Sequence, residues 1–277
     1  MITEKAYAKI NLGLAVGAKL RDGYHEVKTL IMPIDIYDEL SFEETDEDIV
    51  LIDNTNIKVE DNLVYKAAKR FMTKCKIDKG VRIVLNKKIP SEAGLGGGSA
   101  DAAAVLRGLN RLFQVGKTLD ELAAMGKKLG ADVPACVYQS FCKCEGKGDE
   151  ATVLNVDYPK LKLCIIKPPY GLSTKDVYEE HVEGEHQETN IMLENIYNGV
   201  LEGNLEILRK NLFNDLEISA FTLEPELQDL YKYIISMGYI CKMSGSGTAL
   251  FVLGNEDNFQ ELKEKIKYHT IIETQFK

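Results

Sequence analysis

No apolar run in this 277-residue chain approaches the ~18 residues that a membrane-crossing helix needs. Residues 1–7 lack the basic-then-apolar order of an export signal, so the chain is expected in the cytoplasm. An excess of positive charge is also missing: 34 basic against 43 acidic side chains gives −9. That excludes broad binding to nucleic acid or an anionic membrane, and any anionic ligand must be held by a local site. The six cysteines (75, 136, 142, 144, 164 and 241) include no Cys-x-x-Cys pair and read as reduced thiols of a cytosolic protein. Cys142 and Cys144 would face one way on a strand, but with no second pair and no nearby histidine they do not make a metal site. Repeats and low-complexity tracts are absent too. What is present is 45% apolar and 28% charged residues, an ordinary globular balance that excludes disorder and collagen-like chains. The length admits two domains or one large α/β unit.

Residues 6–16 carry an apolar side chain at every even position, the period of a half-buried strand, with Tyr7, Lys9, Asn11 and Gly13 on the other face. Asp22-Gly23 signals a hairpin, and the chain is extended again over 25–36. Short strands are predicted near 39–43 and 49–52. Asp61 is predicted to cap a helix with the stripe Leu63, Val64, Ala67, Ala68 and Phe71. A strand at 81–85 leads to a glycine-rich loop and a helix near 99–113. Thr118 and Glu121 form a capping box that opens a helix expected to end at Gly130. Strands follow near 139–144 and 150–154. Asn155–Pro159 is the predicted boundary between domains at 1–157 and 158–277. The second half reads as strands at 161–166, 239–243 and 248–253, several helices including one near 257–267, and a last strand. Mixed elements in both halves predict two α+β domains with a cleft between them.

The strongest chemical signal is the run Pro90, Ser91, Glu92, Ala93, Gly94, Leu95, Gly96, Gly97, Gly98, Ser99, Ala100 and Asp101 between that strand and helix. Closely spaced glycines let backbone N–H groups converge on one point, and a helix N-terminus adds partial positive charge there. The alternative is a flexible loop that needs positive φ. Two familiar phosphate motifs fail on spacing. A dinucleotide fingerprint needs glycine where Ser99 stands. Gly116-Lys117-Thr118 looks like the end of a Walker A loop, but Arg111 occupies the place of its first glycine.

Three segments stand in order: the strand with Lys9 and Asn11, the glycine loop, and Met243-Ser244-Gly245-Ser246-Gly247-Thr248. They resemble the three motifs of the GHMP kinase superfamily. More narrowly, Ala8–Leu12, Asp22–His25, Gly94–Ser99, Gly130–Pro134 and Asn214–Glu217 resemble the branch that acts on a cytidine-diphosphate methylerythritol. The likeness runs from about residue 6 to residue 254. It implies a two-domain fold, an N-terminal nucleotide-binding α+β domain and a C-terminal ferredoxin-like α+β domain. It also implies ATP-dependent phosphorylation of a tertiary 2-hydroxyl on the route to isoprenoids, with Mg2+ held mainly through ATP phosphates. Ala100 departs from the family, which often has a second serine there, and Cys136 stands where aromatics are common.

Under that resemblance Asp132 is the general base that phosphoryl transfer needs; alternatively it caps the short helix containing Pro134. Lys9 would hold the carboxylate and offset charge building on the transferred phosphate; alternatively it is a solvated strand lysine. Asn11 projects on the same face and would bind substrate. Tyr24, His25 and Tyr178 would form a cytosine site, the tyrosines sandwiching the base, with Thr174 in the adjoining loop. Gly245 and Ser246, within 244–248, would shape the cleft near the substrate phosphates and support the glycine loop. Asn62 is placed near adenine, and Ser99 is a possible metal contact. His181, His186 and His269 read as surface residues. Two other functions remain open: a homoserine- or mevalonate-type kinase, whose substrate has no base to stack, and a nucleotide-binding module without catalysis.

Overall fold

The even-numbered apolar positions build β1 (Ile2–Lys19), which turns at Asp22-Gly23 into β2 (His25–Thr45). The structure, a computed structural model, describes residues 1–182, 188–254 and 259–277. β2 is one continuous strand where two were predicted. Asp38, between the two predicted stretches, is fully buried within it, and its carboxylate accepts the Lys88 and Ile89 backbone N–H groups. β3 (Ile49–Asp53) and β4 (Gly80–Asn86) extend the sheet in the order β3-β4-β2-β1, with β5 (Cys142–Glu145) beside β2 and β6 (Glu150–Val153) beside β5.

Helices α1 (Leu63–Cys75), α2 (Gly97–Leu112), α3 (Leu119–Gly126) and α4 (Val133–Tyr138) belong to this half. Ala6, Ala8, Ile10 and Leu12 share one buried cluster with Ala102–Leu106 of α2 and with Val64, Ala67, Ala68 and Phe71 of α1. The cap of α1 is Asn62 and not Asp61: the Asn62 side chain accepts from the Val64 N–H, while both residues donate their own N–H to Lys58 in the preceding turn. The Thr118–Glu121 capping box forms, but α3 ends at Gly126, ahead of the predicted Gly130.

Beyond the connection at 154–161, β7 (Lys162–Lys167), β9 (Ile240–Met243), β10 (Leu250–Leu253) and β11 (Thr270–Gln275) make an antiparallel sheet in the order β11-β7-β10-β9. Around it run α5 (Thr174–Glu179), α6 (Thr189–Glu202), α7 (Leu205–Asn211), α8 (Leu216–Leu223), α9 (Pro225–Ser236) and α10 (Phe259–Lys265). The strand predicted from residue 248 starts at Leu250. The predicted start of the last helix, Asp257, lies outside the described residues, as does His186. The two-residue strand β8 (Phe213–Asn214) pairs in parallel with Gly13 and Leu14 of β1, so a segment of the second half completes the first sheet. One buried cluster joins Ile10 and Leu12 to Leu163, Ile165 and Phe251 across both halves. Among the described residues no helix is long and apolar enough to cross a membrane.

Candidate active site

The glycine loop is shaped by contacts from both halves of the chain. Gly94 has φ +68, and a Cβ there would lie 1.9 Å from the Ser244 carbonyl oxygen, so only glycine lets the 244–247 loop approach this closely. Ser244 Oγ donates to the Gly94 carbonyl at 3.0 Å, and Ala249 N–H donates to Ala93 at 3.2 Å. The motif at Asn214–Glu217 fixes that second loop. Asn214 Nδ2 donates to the carbonyls of Met243 and Gly245, both at 2.8 Å, and Glu217 Oε1 accepts the Met243 N–H at 2.9 Å. Gly96, also at φ +68, occupies the N-cap of α2 and offers no side chain to the first amides of that helix. The 16-residue helix therefore presents an uncapped N-terminus, a site suited to phosphate.

β1 brings the charged pair to the same place. Its pairing with β2 slips between Tyr7 and Lys9, where Pro33 stands opposite with no N–H to give. The Lys9 N–H donates to Leu95 in the glycine loop at 3.0 Å, tying β1 to that loop. The Lys9 side chain passes Gly96, where a Cβ would sit 2.9 Å from its Cγ. Its ammonium ends 3.2 Å from Asp132 Oδ2 and 2.7 Å from Asn11 Oδ1, while Asn11 Nδ2 donates to Thr29 Oγ1 at 2.8 Å. Lys9 is buried, so the picture of a solvated strand lysine does not hold. Asp132 stands at the N-cap position of α4 but makes no side-chain cap bond, so its carboxylate is left to Lys9 and the cleft. One turn on, Cys136 packs in the core, where burial, with Asp132 adding to it, pushes its thiol up to about 12.

Beneath the cradle lies a charge network that the sequence reading missed. Lys87 Nζ sits 2.8 Å from Asp101 Oδ2 and pairs with Asp38. It also stands 3.0 Å from where a Gly97 Cβ would be. Burial pushes the Asp101 carboxyl up to about 7, with Lys87 pulling it down and Asp38 pushing it further up. Asp101 Oδ1 is buried with no hydrogen-bond partner. Between its ordinary value of 3.8 and about 7, the folded chain keeps a proton there that the unfolded chain has lost. Stability therefore falls as pH rises through that window. Asp101→Asn, uncharged throughout, is expected to gain in melting temperature relative to the parent as pH rises from about 4 to about 7. A pH-independent offset in scanning calorimetry would count against this assignment.

These groups open into one cleft of about 1450 Å³. Lys9, Asn11, Tyr24, His25, Asn62, residues 90–99, Asp101, Asp132, Thr174, Tyr178, Gly245 and Ser246 all line it. Ala100 does not: it is buried, and its N–H closes the first turn of α2 on Gly96. Both ends of the Asn62 amide are engaged, Oδ1 by Val64 and Nδ2 by Asp53 Oδ2 at 2.9 Å. His25 is buried and leans on Tyr178 with ring centroids 5.5 Å apart; burial raises the Tyr178 hydroxyl far above its usual value, so it stays protonated. Thr174 Oγ1 lies 2.9 Å from Ser246 Oγ, joining α5 to the 244–248 loop. His181 is no surface residue: it is half-buried, edge-on to His25 at 6.1 Å, with Nε2 buried. His269 is likewise half-buried, and burial lowers its pKa.

The chain matches the family models for the GHMP kinases N terminal domain over residues 62–140 and the GHMP kinases C terminal over residues 192–271. It is 41% identical over 253 residues to a 4-diphosphocytidyl-2-C-methyl-D-erythritol kinase of Clostridium tetani, covering 89% of each chain. A protein of the same name from Caldicellulosiruptor bescii is 37% identical over 270 residues, covering 95% of this chain and 93% of that one. The crystal structure of a 4-(cytidine 5'-diphospho)-2C-methyl-D-erythritol kinase superposes with a TM-score of 0.80 at 31% identity, covering 100% of both chains. A homoserine kinase from Cytophaga hutchinsonii superposes with a TM-score of 0.74 at 20% identity over 98% of this chain and 94% of that one, a likeness of fold alone.

Proposed function

The chain belongs to the 4-diphosphocytidyl-2-C-methyl-D-erythritol kinases of the GHMP kinase family, and from that premise we propose how its residues carry out the reaction. The activity is ATP-dependent phosphorylation of 4-diphosphocytidyl-2-C-methyl-D-erythritol, in isoprenoid biosynthesis. The acceptor is the 2-hydroxyl. The observation that carries the assignment of roles is the Lys9–Asp132 pair, 3.2 Å apart, beside an uncapped helix N-terminus.

Pro90–Gly98 and the first amides of α2 hold the ATP phosphates, with Ser99 beside them. Ala100 and Asp101 contribute through the backbone and through Lys87, and Asn62 borders the adenosine end. The cradle fits a polyphosphate because its close approach to Lys9 and Ser244 depends on having no Cβ at Gly94 and Gly96. Asp132 takes the proton from the acceptor hydroxyl as the new oxygen–phosphorus bond forms and the bond to departing ADP breaks. Lys9 fixes the carboxylate and neutralises charge gathering on the transferred group. Asn11 positions the Lys9 ammonium and the acceptor. Gly245, Ser246 and Thr174 border the substrate's diphosphate.

Among the described residues no group of three or more His, Cys, Asp or Glu could hold a metal ion. The residues present fit Mg2+ carried on ATP phosphates and waters, with the Ser99 hydroxyl as a protein contact. When bound it supplies charge neutralisation at those phosphates. The domains divide at 157/158, and the enzyme works in the cytosol, in keeping with six unpaired thiols.

Substrate-dependent ADP release tests the activity: it is expected with the cytidine substrate and not with homoserine or mevalonate. Release with either of the latter, or release indifferent to any acceptor, would overturn the reading. The base site has its own test. Tyr178→Ala removes a stacking ring, and a base–aromatic stack is worth ~1–3 kcal/mol. Affinity for CMP should fall by about one to two factors of ten, with ATP binding unchanged. Tyr178→Phe should be near neutral, because the ring does the stacking. Equal CMP binding by all three proteins in calorimetry would move the base elsewhere.

A further inference from the structure

Arg107 lies in α2, toward the end away from the glycine loop, and it is buried without lining the cleft. A buried guanidinium is costly unless its donors are met. Here Nε donates to Glu4 Oε2 at 3.1 Å, Nη1 to the Cys136 carbonyl at 2.9 Å and Nη2 to the Lys5 carbonyl at 3.0 Å. Nη1 also reaches the Val137 carbonyl at 3.4 Å. One planar fork on α2 therefore holds the closing turn of α4 and the main chain of β1 at once.

Both attachments sit close to the reacting pair along the chain. The Cys136 N–H donates to the Asp132 carbonyl at 3.1 Å, so the carbonyl that Arg107 holds is one helical turn from the general base. Lys5 stands on the same strand as Lys9, just ahead of it. Asp132 makes no side-chain bond to its own helix, so its carboxylate stands where α4 puts it. Carbonyls at a helix end have no partner inside the helix, and a cation there also suits the helix dipole. The edge of β1 needs a partner here as well, because among the described residues β8 pairs with β1 only at Gly13 and Leu14. Gln139 Nε2, just past α4, shares the Lys5 carbonyl at 2.6 Å and closes the same joint.

We propose that Arg107 is a positioning residue for phosphoryl transfer: by fastening α4 to β1 it sets the alignment of Asp132 with Lys9, and so the rate of the chemical step. The inference rests on the assignment of Asp132 as general base, and it goes beyond it by placing control of that alignment in a residue outside the cleft. Arg107 touches neither substrate. What matters is the fork, not the ion pair with Glu4.

The test is steady-state kinetics with both substrates on the full-length parent, Arg107→Lys, Glu4→Gln, the Glu4→Leu/Arg107→Met pair, Asp132→Asn and Arg107→Lys/Asp132→Asn. Lysine keeps the charge beside Glu4 and gives up the fork. A displacement of about 1 Å costs up to about 10²-fold, so kcat should fall by about ten- to a hundredfold, with both KM values held within about threefold. Glu4→Gln keeps the acceptor for Nε and leaves the fork in place, so kcat should stay within about twofold. The Leu/Met pair removes both buried charges together, which folded chains tolerate, and leaves Arg111, the other partner of Glu4, exposed to water. It should lose kcat as Arg107→Lys does, and it decides the matter should the lysine variant not fold. In the Asp132→Asn background, Arg107→Lys should change kcat by less than about threefold, because the carboxylate it positions is gone. Parent-like kcat in the Leu/Met pair would overturn the proposal. So would an equal loss with and without the Asp132 carboxylate, which would make Arg107 a support of the fold alone. Parent-like turnover in Asp132→Asn itself would instead remove the general base, and this inference with it.

Discussion

Asp132→Asn should lower turnover by about 10²–10⁴, the range typical for loss of a general base. Its melting temperature should stay close to that of the parent. The structure makes the two readouts separable. Asp132 makes no cap bond to α4, so the helix does not depend on its carboxylate. The amide keeps the shape and can still accept from Lys9, which limits the cost of leaving that buried ammonium without its ion pair. Steady-state kinetics with both substrates saturating, beside a thermal melt, is the measurement. Turnover within a few-fold of the parent would remove Asp132 from the chemistry. A collapse of both turnover and melting temperature would make it structural.

Gly96→Val should raise KM for ATP at least about tenfold. An L-residue held in the left-handed region costs roughly 1–2 kcal/mol, and β-branching adds to that; 1.4 kcal/mol is a factor of ten. Gly96 sits at φ +68, and its Cβ would press on the Lys9 stem at 2.9 Å. The same substitution should therefore reduce kcat, because it displaces the ammonium that reaches Asp132. CMP affinity should hold within about threefold, since His25 and Tyr178 lie outside the glycine loop. Equal loss of ATP and CMP binding would show that the substitution unfolds the cleft and does not act on the cradle alone.

What local pattern can carry was legible in the sequence. The alternation over residues 6–16 is the buried face of β1, the Thr118–Glu121 pair is a capping box, and the glycines open α2. What failed depended on partners distant in sequence. The gap predicted between 36 and 39 closes because Lys87, Lys88 and Ile89, about 50 residues away, satisfy the Asp38 carboxylate inside an unbroken strand. Asp61 and Asn62 are equally good caps by type; Asn62 takes the place with its amide held between the Val64 N–H and the Asp53 carboxylate. The slip at Lys9 follows from Pro33 across the strand, which no reading of residues 6–16 contains. His181 carries no ligand spacing, and its burial against His25 is likewise visible only in the fold.

In the proposed mechanism Asp132 and Lys9 direct the γ-phosphoryl group of ATP to one tertiary hydroxyl of the cytidine substrate. Phosphorus NMR of the product tests it most directly. A phosphate on a tertiary carbon has no hydrogen on the attached carbon, so its resonance carries no three-bond proton coupling. One new phosphomonoester resonance without that coupling is expected, growing in step with ADP and absent with Asp132→Asn over the same interval. A proton-coupled phosphomonoester, or ADP accumulating with inorganic phosphate alone, would contradict it.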